Sequence, residues 1–327
     1  MRIVIGYDGT AGSDAALRDL ESAGLPALGQ AAIVVAMPTP LSQNAFAADP
    51  TGAGWLANAY VPLDPSPADL RKAEELGEHA RLVARIKLPG WKISAEAVAG
   101  DPARALLEKA EAWKADLIVV GSHGWTWLGR VFLGSVAQKV LTHARVSVRL
   151  VQPRPGGAGG GLRLLAAVDG SRDARLALDA IARRKWPAGT KARLIAAKET
   201  FPWADALAAA ESGKGRRLKP GSWEPMERVL EAAQSRLRAA GLEAEWEIQE
   251  GDPRTVILTE AESFRADCLF MGRRGLSGFN RLLIGGVSSA VAAHAPCSVE
   301  VVRRPIRVRS VRMMLGKSAR HRVLPAG

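Results

Sequence analysis

The sequence predicts two tandem, doubly wound α/β units, each built on a parallel five-stranded sheet. Three observations predict it. Short apolar runs alternate with segments of helical periodicity along most of the chain, the pattern of βα units wound over a parallel sheet. A glycine-rich stretch, GSHGWTWLGRVFLGS at residues 121–135, lies between one apolar run and one helical run. The same stretch recurs 151 residues later, so that Gly121, Gly124, Gly134 and His143 map onto Gly272, Gly275, Gly285 and His294.

The repeat extends beyond the glycines. Gly100, Asp101 and Pro102 match Gly251, Asp252 and Pro253, and the opening RIVIGYDGT (2–10) matches RLLAAVDGS (163–171). That last pair is offset by 161 residues, so the first copy carries ten extra residues between Asp8 and Asp101. A chain of 327 residues with 47% hydrophobic content has length and apolar material for two such domains. The expected division is 1–152, a linker at 153–161, 162–305, and a basic tail at 306–327.

In the first copy, residues 2–6 read as strand one with Asp8 at its carboxyl end. Ser13 is the expected N-cap of a helix reaching about Ala23. AAIVVAM (31–37) reads as strand two. Residues 38–68, rich in Pro, Gly, Ala and Asn, read as a long irregular loop. A helix from about 67 to 86 precedes strand three, WKISAEAVAG. Asp101 as cap and Pro102 at the first helical position open the next helix. Strand four starts at Asp116, a helix starts at Ser135, and strand five covers 146–153. The second copy reads the same way: strand 162–168, helix 171–184, strand 192–197, irregular 198–222, helix 225–240, strand 243–249, helix 253–266, strand 267–271 and a last strand at 298–302. The two last strands, VSVRLV and SVEVV, alternate apolar and polar residues as pairing edge strands do. Antiparallel pairing between them would make a pseudo-twofold dimer within one chain, with further dimerisation left open.

Composition narrows the function classes. The net charge of +12 is concentrated at the carboxyl end: residues 303–327 hold eight Lys or Arg and no acid, leaving +4 on the rest. Nucleic acid or anionic lipid is therefore expected to meet only the tail. Two cysteines, Cys268 and Cys297, give no disulfide framework; Cys268 falls in a buried-looking strand. No leader pattern opens the chain and no apolar run nears the ~20 residues of a membrane span. A cytoplasmic, non-membrane protein is the expectation.

A glycine turn between a strand and a helix can do one of two things. It can expose backbone N–H groups and the positive end of a helix to a phosphate, or it can simply make a tight βα crossover. Other chemistry has little support: there is no G-x4-G-K-[S/T], no G-x-S-x-G, no Cys/His metal spacing and no recognisable carboxylate pair. His143 and His294 end helices, where histidine caps carbonyls more often than it catalyses. Arg130, Arg281, Trp125 and Trp127 fall in or near the spacer, with solvated or packing roles as open as ligand contact.

The G-x2-G-x9-G-[S/T] pattern after strand four, D-G-[S/T] after strand one, G-D-P before the third helix and the H-A-P-C-S-V close of the second copy together resemble the universal stress protein family, as a tandem member. The resemblance implies a fold of adenine-nucleotide-binding type and pairing of domains through their last strands. It implies ATP, or AMP or ADP, at the glycine motif, with Mg²⁺ on the phosphates. Carried to this sequence, Gly121 and Gly124 would pass the ribose and phosphates, His123 would lie between them, and Gly134, Ser135 and Val136 would offer N–H groups. Asp8 matches the acidic residue near the ribose or a metal, and Met37 the strand end that reads adenine. The corresponding second set is Asp169, Ala197, Gly272, Gly275, Gly285, Gly286 and Val287. There Gly286 stands where Ser135 does, so this site is expected to be weaker or empty, with Ser288 one turn away and Arg273 and Arg274 adding charge. The implied function is a nucleotide-responsive, non-enzymatic stress-response protein acting through a protein partner, slow ATP hydrolysis or autophosphorylation remaining open; the alternative is a nucleotide-independent scaffold of the same fold.

Overall fold

In the computed structural model the described residues are 1–37, 41–43, 60–62, 66–122, 133–153, 160–198, 224–274 and 285–304. The first half runs β1 (Arg2–Gly6), α1 (Ala11–Asp19), β2 (Gly29–Met37), β3 (Leu41–Gln43), β4 (Tyr60–Pro62), α2 (Pro67–Lys87), β5 (Trp91–Ala99), α3 (Pro102–Ala112), β6 (Leu117–Gly121), α4 (Ser135–His143) and β7 (Ser147–Val151). The second runs β8 (Arg163–Ala167), α5 (Arg172–Ala182), β9 (Lys191–Lys198), α6 (Glu224–Ala239), β10 (Glu243–Glu250), α7 (Pro253–Ser263), β11 (Cys268–Gly272), α8 (Gly286–His294) and β12 (Ser298–Val302).

The strands join into one ten-stranded sheet in the order β10-β9-β8-β11-β12-β7-β6-β1-β2-β5. Each half is parallel, and the halves meet antiparallel at β12 and β7. Helices cover both faces of this sheet, which is why β1 and β6 read as unbroken apolar runs: Ile3, Val4, Ile5, Leu117, Ile118 and Val119 are all essentially inaccessible. Burial of such an aliphatic side chain contributes about 1.5–3 kcal/mol.

Local signals account for the helix starts. Ser66 and Asp69 form a reciprocal capping box at α2, with Pro67 as first helical residue. Asp101 accepts from Arg104 N at 2.9 Å and Asp252 from Arg254 N and Thr255 N at 3.1 Å, each ahead of a proline. Two expectations are corrected here. The cap of α1 is Thr10 and not Ser13: Thr10 Oγ1 accepts from Ser13 N, while the Ser13 hydroxyl donates to the Thr10 carbonyl, so the helix begins three residues earlier. The supposedly irregular residues 38–68 contain the antiparallel pair β3 and β4, while α2 starts at Pro67 as expected.

The last strands pair antiparallel as expected, with Glu300 opposite Arg149, and so lie at the centre of the joined sheet. Their apolar residues, Val148, Leu150, Val299 and Val301, belong to one core that runs under α3, α4, α7 and α8 of both halves. On the other face two separate cores lie under α1–α2 and α5–α6. The polar positions of the strands, Arg149 and Glu300, are buried.

Candidate nucleotide site

Within the first half the strand order is β5-β2-β1-β6-β7, so the connections leaving β1 and β6 run in opposite directions. A doubly wound sheet opens a crevice at the carboxyl ends of such a strand pair. There the protein has a cleft open to solvent, lined by Gly6, Tyr7 and Asp8 at the end of β1, Val34 and Ala36 of β2, Leu106 of α3, Gly121 of β6 and Val136 of α4, with Thr10, Gly12, Ser13, Pro102 and Val120 completing the wall. Val34, Leu106 and Val120 give the cleft a buried aliphatic wall, while Asp8 and Thr10 are exposed.

The rim is electropositive on one side. Gly134 caps α4 without a side-chain hydrogen bond, and the first helical bond is Gln138 N to Gly134 O at 2.8 Å. The N–H groups of Ser135, Val136 and Ala137 therefore precede the helical ladder and carry the positive end of its dipole. On the opposite side the Asp8 carboxylate accepts from Thr10 N at 3.0 Å and Thr10 Oγ1 at 2.7 Å, which fixes its orientation. The Tyr7 hydroxyl donates to Asp14 at 2.8 Å. Burial first, then that bond and the charges of Asp14 and Asp8, push the Tyr7 phenol up to about 12.

The sequence-predicted residues divide as follows. Asp8, Gly121 and Val136 line the cleft, and Gly134 and Ser135 form the helix start beside it. His123, Gly124, Gly275, Arg130, Arg281, Trp125 and Trp127 lie outside the described residues. Met37 sits one residue beyond the lining residue Ala36, its carbonyl accepting from Gly100 N at 2.8 Å. The matching bond in the second half is Gly251 N to Lys198 O at 2.9 Å. Lys198 is thus the counterpart of Met37, and Ala197 the counterpart of Ala36.

Gly121 has a reason to be glycine that is independent of any ligand. A Cβ there would lie 2.4 Å from the Gly12 carbonyl, because the start of α1 packs on the end of β6; Gly272 is crowded in the same way by Asp173 and Ala174. The crossover reading of the glycine and the cradle reading therefore apply at one position. Residues that the sequence alone did not single out are Tyr7, Val34, Ala36 and Leu106, whereas Thr10 belongs to the D-G-[S/T] motif. Tyr7 adjoins Asp8, and the aliphatic ones look in sequence like any other core position.

In the second half Asp169 repeats the turn, accepting from Ser171 N at 2.9 Å. Gly285 caps α8, with Gly286 and Val287 in its first turn. The Ser288 hydroxyl does not substitute for that of Ser135: it donates to the Gly272 and Arg273 carbonyls at 3.0 and 3.1 Å. Arg254, which replaces the buried Ala103, brings its Nη2 to 3.4 Å from where a Gly286 Cβ would be. His143 Nδ1 and His294 Nδ1 lie 2.9 and 2.8 Å from carbonyls one turn back, the helix-terminal role expected of them. Cys268 and Cys297 are buried and unbridged, and burial pushes the Cys268 thiol up to about 12. Among the described residues no three His, Cys, Asp or Glu cluster as a metal site, and no helix is long and apolar enough to cross a membrane.

A parallel sheet wound on both faces, with its crevice at the strand switch and a glycine-capped helix on the rim, defines a Rossmann-like nucleotide-binding fold. The family model of the Universal stress protein family matches residues 1–152 and again 162–303. The chain belongs to the universal stress protein family, as a tandem member. A universal stress protein of Mycolicibacterium smegmatis is 28% identical over 315 residues, 92% of this chain and 96% of its own. Shorter matches reach 35% over 74 residues in a universal stress protein of Synechocystis and 48% over 63 residues in one of Methanocaldococcus jannaschii. These cover 23% and 19% of this chain and 48% and 37% of the relatives, so the chain spans less than half of their length. Among solved structures, a universal stress protein of Archaeoglobus fulgidus superposes with a TM-score of 0.60 at 20% identity over 93% of this chain and 97% of its own. A putative universal stress protein of Pseudomonas aeruginosa gives 0.54 at 18%, over 92% of each chain.

Proposed function

We propose that the first half binds an adenine nucleotide, ATP or its di- or monophosphate, and that occupancy of this cleft changes which protein the chain binds in a stress response. The observation that carries the reading is the joining, at the strand switch, of an aliphatic wall formed by Val34, Ala36 and Leu106 to the start of α4, which no side chain caps among the described residues. The base would lie on the wall and the phosphates on the N–H groups of Ser135 and Val136, with the Ser135 hydroxyl as a further donor. His123 and Gly124 are assigned to the ribose and phosphates on the family pattern. Asp8 is the acidic residue among the described lining residues and would meet the ribose or a phosphate-borne Mg²⁺. The units are taken as 1–152 and 162–305, joined by a linker at 153–161 and followed by a tail at 306–327, in a cytoplasmic protein without an enzymatic role.

The second site is proposed to be weaker. Gly286 removes a hydroxyl donor, worth about 1.5–3 kcal/mol toward a charged partner, and Ser288 is committed to backbone carbonyls. Chromatography of nucleotide released from the purified protein by denaturation tests the reading, with calorimetric titration giving affinity and stoichiometry. Ser135→Asp is the informative variant. A carboxylate in the first turn favours the helix but repels phosphate, so nucleotide binding should fall at least tenfold with the thermal midpoint kept. An empty wild-type protein that takes up no ATP would instead leave a nucleotide-independent scaffold.

A further inference from the structure

The face of β7 and β12 turned away from the shared core is filled by charge. Arg149 donates through Nε and Nη2 to both oxygens of Asp19, at 2.5 and 3.1 Å, and through Nη1 to Glu300 at 3.1 Å. Arg184 donates to both oxygens of Glu300, one at 2.7 Å, and to the Ala23 carbonyl at 3.1 Å. Arg149, Asp19 and Glu300 have side chains no more than 5% exposed, and Arg184 10%. Two members come from each half. Arg149 and Glu300 are equivalent in the repeat and stand opposite each other in register, so the pseudo-twofold axis passes between unlike charges.

Shape follows the same asymmetry. Gly24, at φ +64°, leaves space that Arg184 and Trp186 occupy: a Cβ there would lie 3.0 Å from both. The Trp186 indole is fixed from behind by an edge contact with Phe270, at 5.9 Å and 87°. In the repeat, Lys185 replaces Gly24 and Leu25 replaces Trp186. A junction of two first halves would thus have sockets without a knob, and one of two second halves would set Lys185 against Trp186. Like pairing would also bring Arg149 against Arg149, or Glu300 against Glu300, inside the protein. Each would keep the counter-ion of its own half but lose the bond across the axis, in a place where an uncompensated charge is costly.

We propose that the buried Asp19–Arg149–Glu300–Arg184 chain, together with the Gly24 socket for Trp186, is a pairing code: the last strand of the first half accepts the last strand of the second half and rejects a copy of itself. The partner that fits the first half is a β12-like edge bearing a carboxylate on the axis and an indole beside it, supplied by the same chain or, by exchange, by the second half of another copy.

Full-length chains carrying Arg149→Glu or Glu300→Arg test this. Each alone has like charges on its axis and should show a folding equilibrium constant about a hundredfold or more below wild type, the scale of a broken buried pair. Glu300→Gln, which keeps the shape, should lose clearly less. Mixed in equal amounts, the two charge variants can form one native Arg149–Glu300 junction between chains, so native mass spectrometry should show a 1:1 two-chain species that neither gives alone. If a variant does not fold by itself, the two are refolded together from denaturant, and recovery of the 1:1 species is the deciding result. The proposal is overturned by single variants of wild-type stability, by Glu300→Gln losing as much as Glu300→Arg, by either variant forming a homodimer as readily as the mixture forms a heterodimer, or by a mixture or co-refolding that yields no two-chain species.

Discussion

Residues at the cleft carry structural duties that any test of ligand binding must separate. Gly121→Ala would drive a Cβ into the Gly12 carbonyl, and overpacking of that kind costs about 1–3 kcal/mol. We expect the loss in chemical denaturation with or without nucleotide, so impaired binding by this variant would not by itself identify a phosphate contact. Tyr7 gives a pH signature. Its folded pKa, about 12, lies above the ordinary phenol value, so its contribution is fully present below about pH 10 and is lost as pH rises through 12. A difference-absorbance titration should find one phenol ionising near 12, and Tyr7→Phe should remove that step and cost about 1 kcal/mol with the Asp14 bond. The sequence showed Asp8 and the glycines because turn chemistry is local. It hid Tyr7 and Leu106, whose place at the cleft depends on how β1 and α3 come together.

At the level of elements, the strands and helices were readable because period and caps agree: β1, β12 and the Asp101–Pro102 and Asp252–Pro253 helix starts fall where expected. Thr10 took the capping role from Ser13 because both are short hydroxyl residues at the same turn and the backbone decides between them. Asp101→Ala should lower stability by about 1 kcal/mol in denaturant titration through loss of its cap. The bond from Lys139 first, and that from Arg104 N next, hold the Asp101 carboxyl below its usual value. Its contribution is therefore present above the ordinary carboxylate pKa and is lost as pH falls through the lowered one. The exposed Lys139 pair itself adds little.

For the whole molecule, the repeat announced two domains, and the structure adds that they share one sheet and one core. Ile118, Val148, Leu150, Leu269, Val299 and Val301 belong to a single apolar cluster, so the halves should unfold together. Scanning calorimetry is expected to show one transition with equal calorimetric and van't Hoff enthalpies, where independent halves would give two. The alternation in VSVRLV and SVEVV pointed to pairing strands but not to what their polar side meets, because a strand with period two looks the same whether its polar face meets water or a buried counter-ion. Arg149 and Glu300 could be recognised as partners only once Asp19 and Arg184 were brought over them. The antiparallel meeting of β7 and β12 has one more effect. Because the strands of the two halves run in opposite directions, their carboxyl ends open at opposite margins of the sheet. The protein therefore has two poles, and a partner docking over the first cleft would sit at the margin of the sheet away from the start of α8.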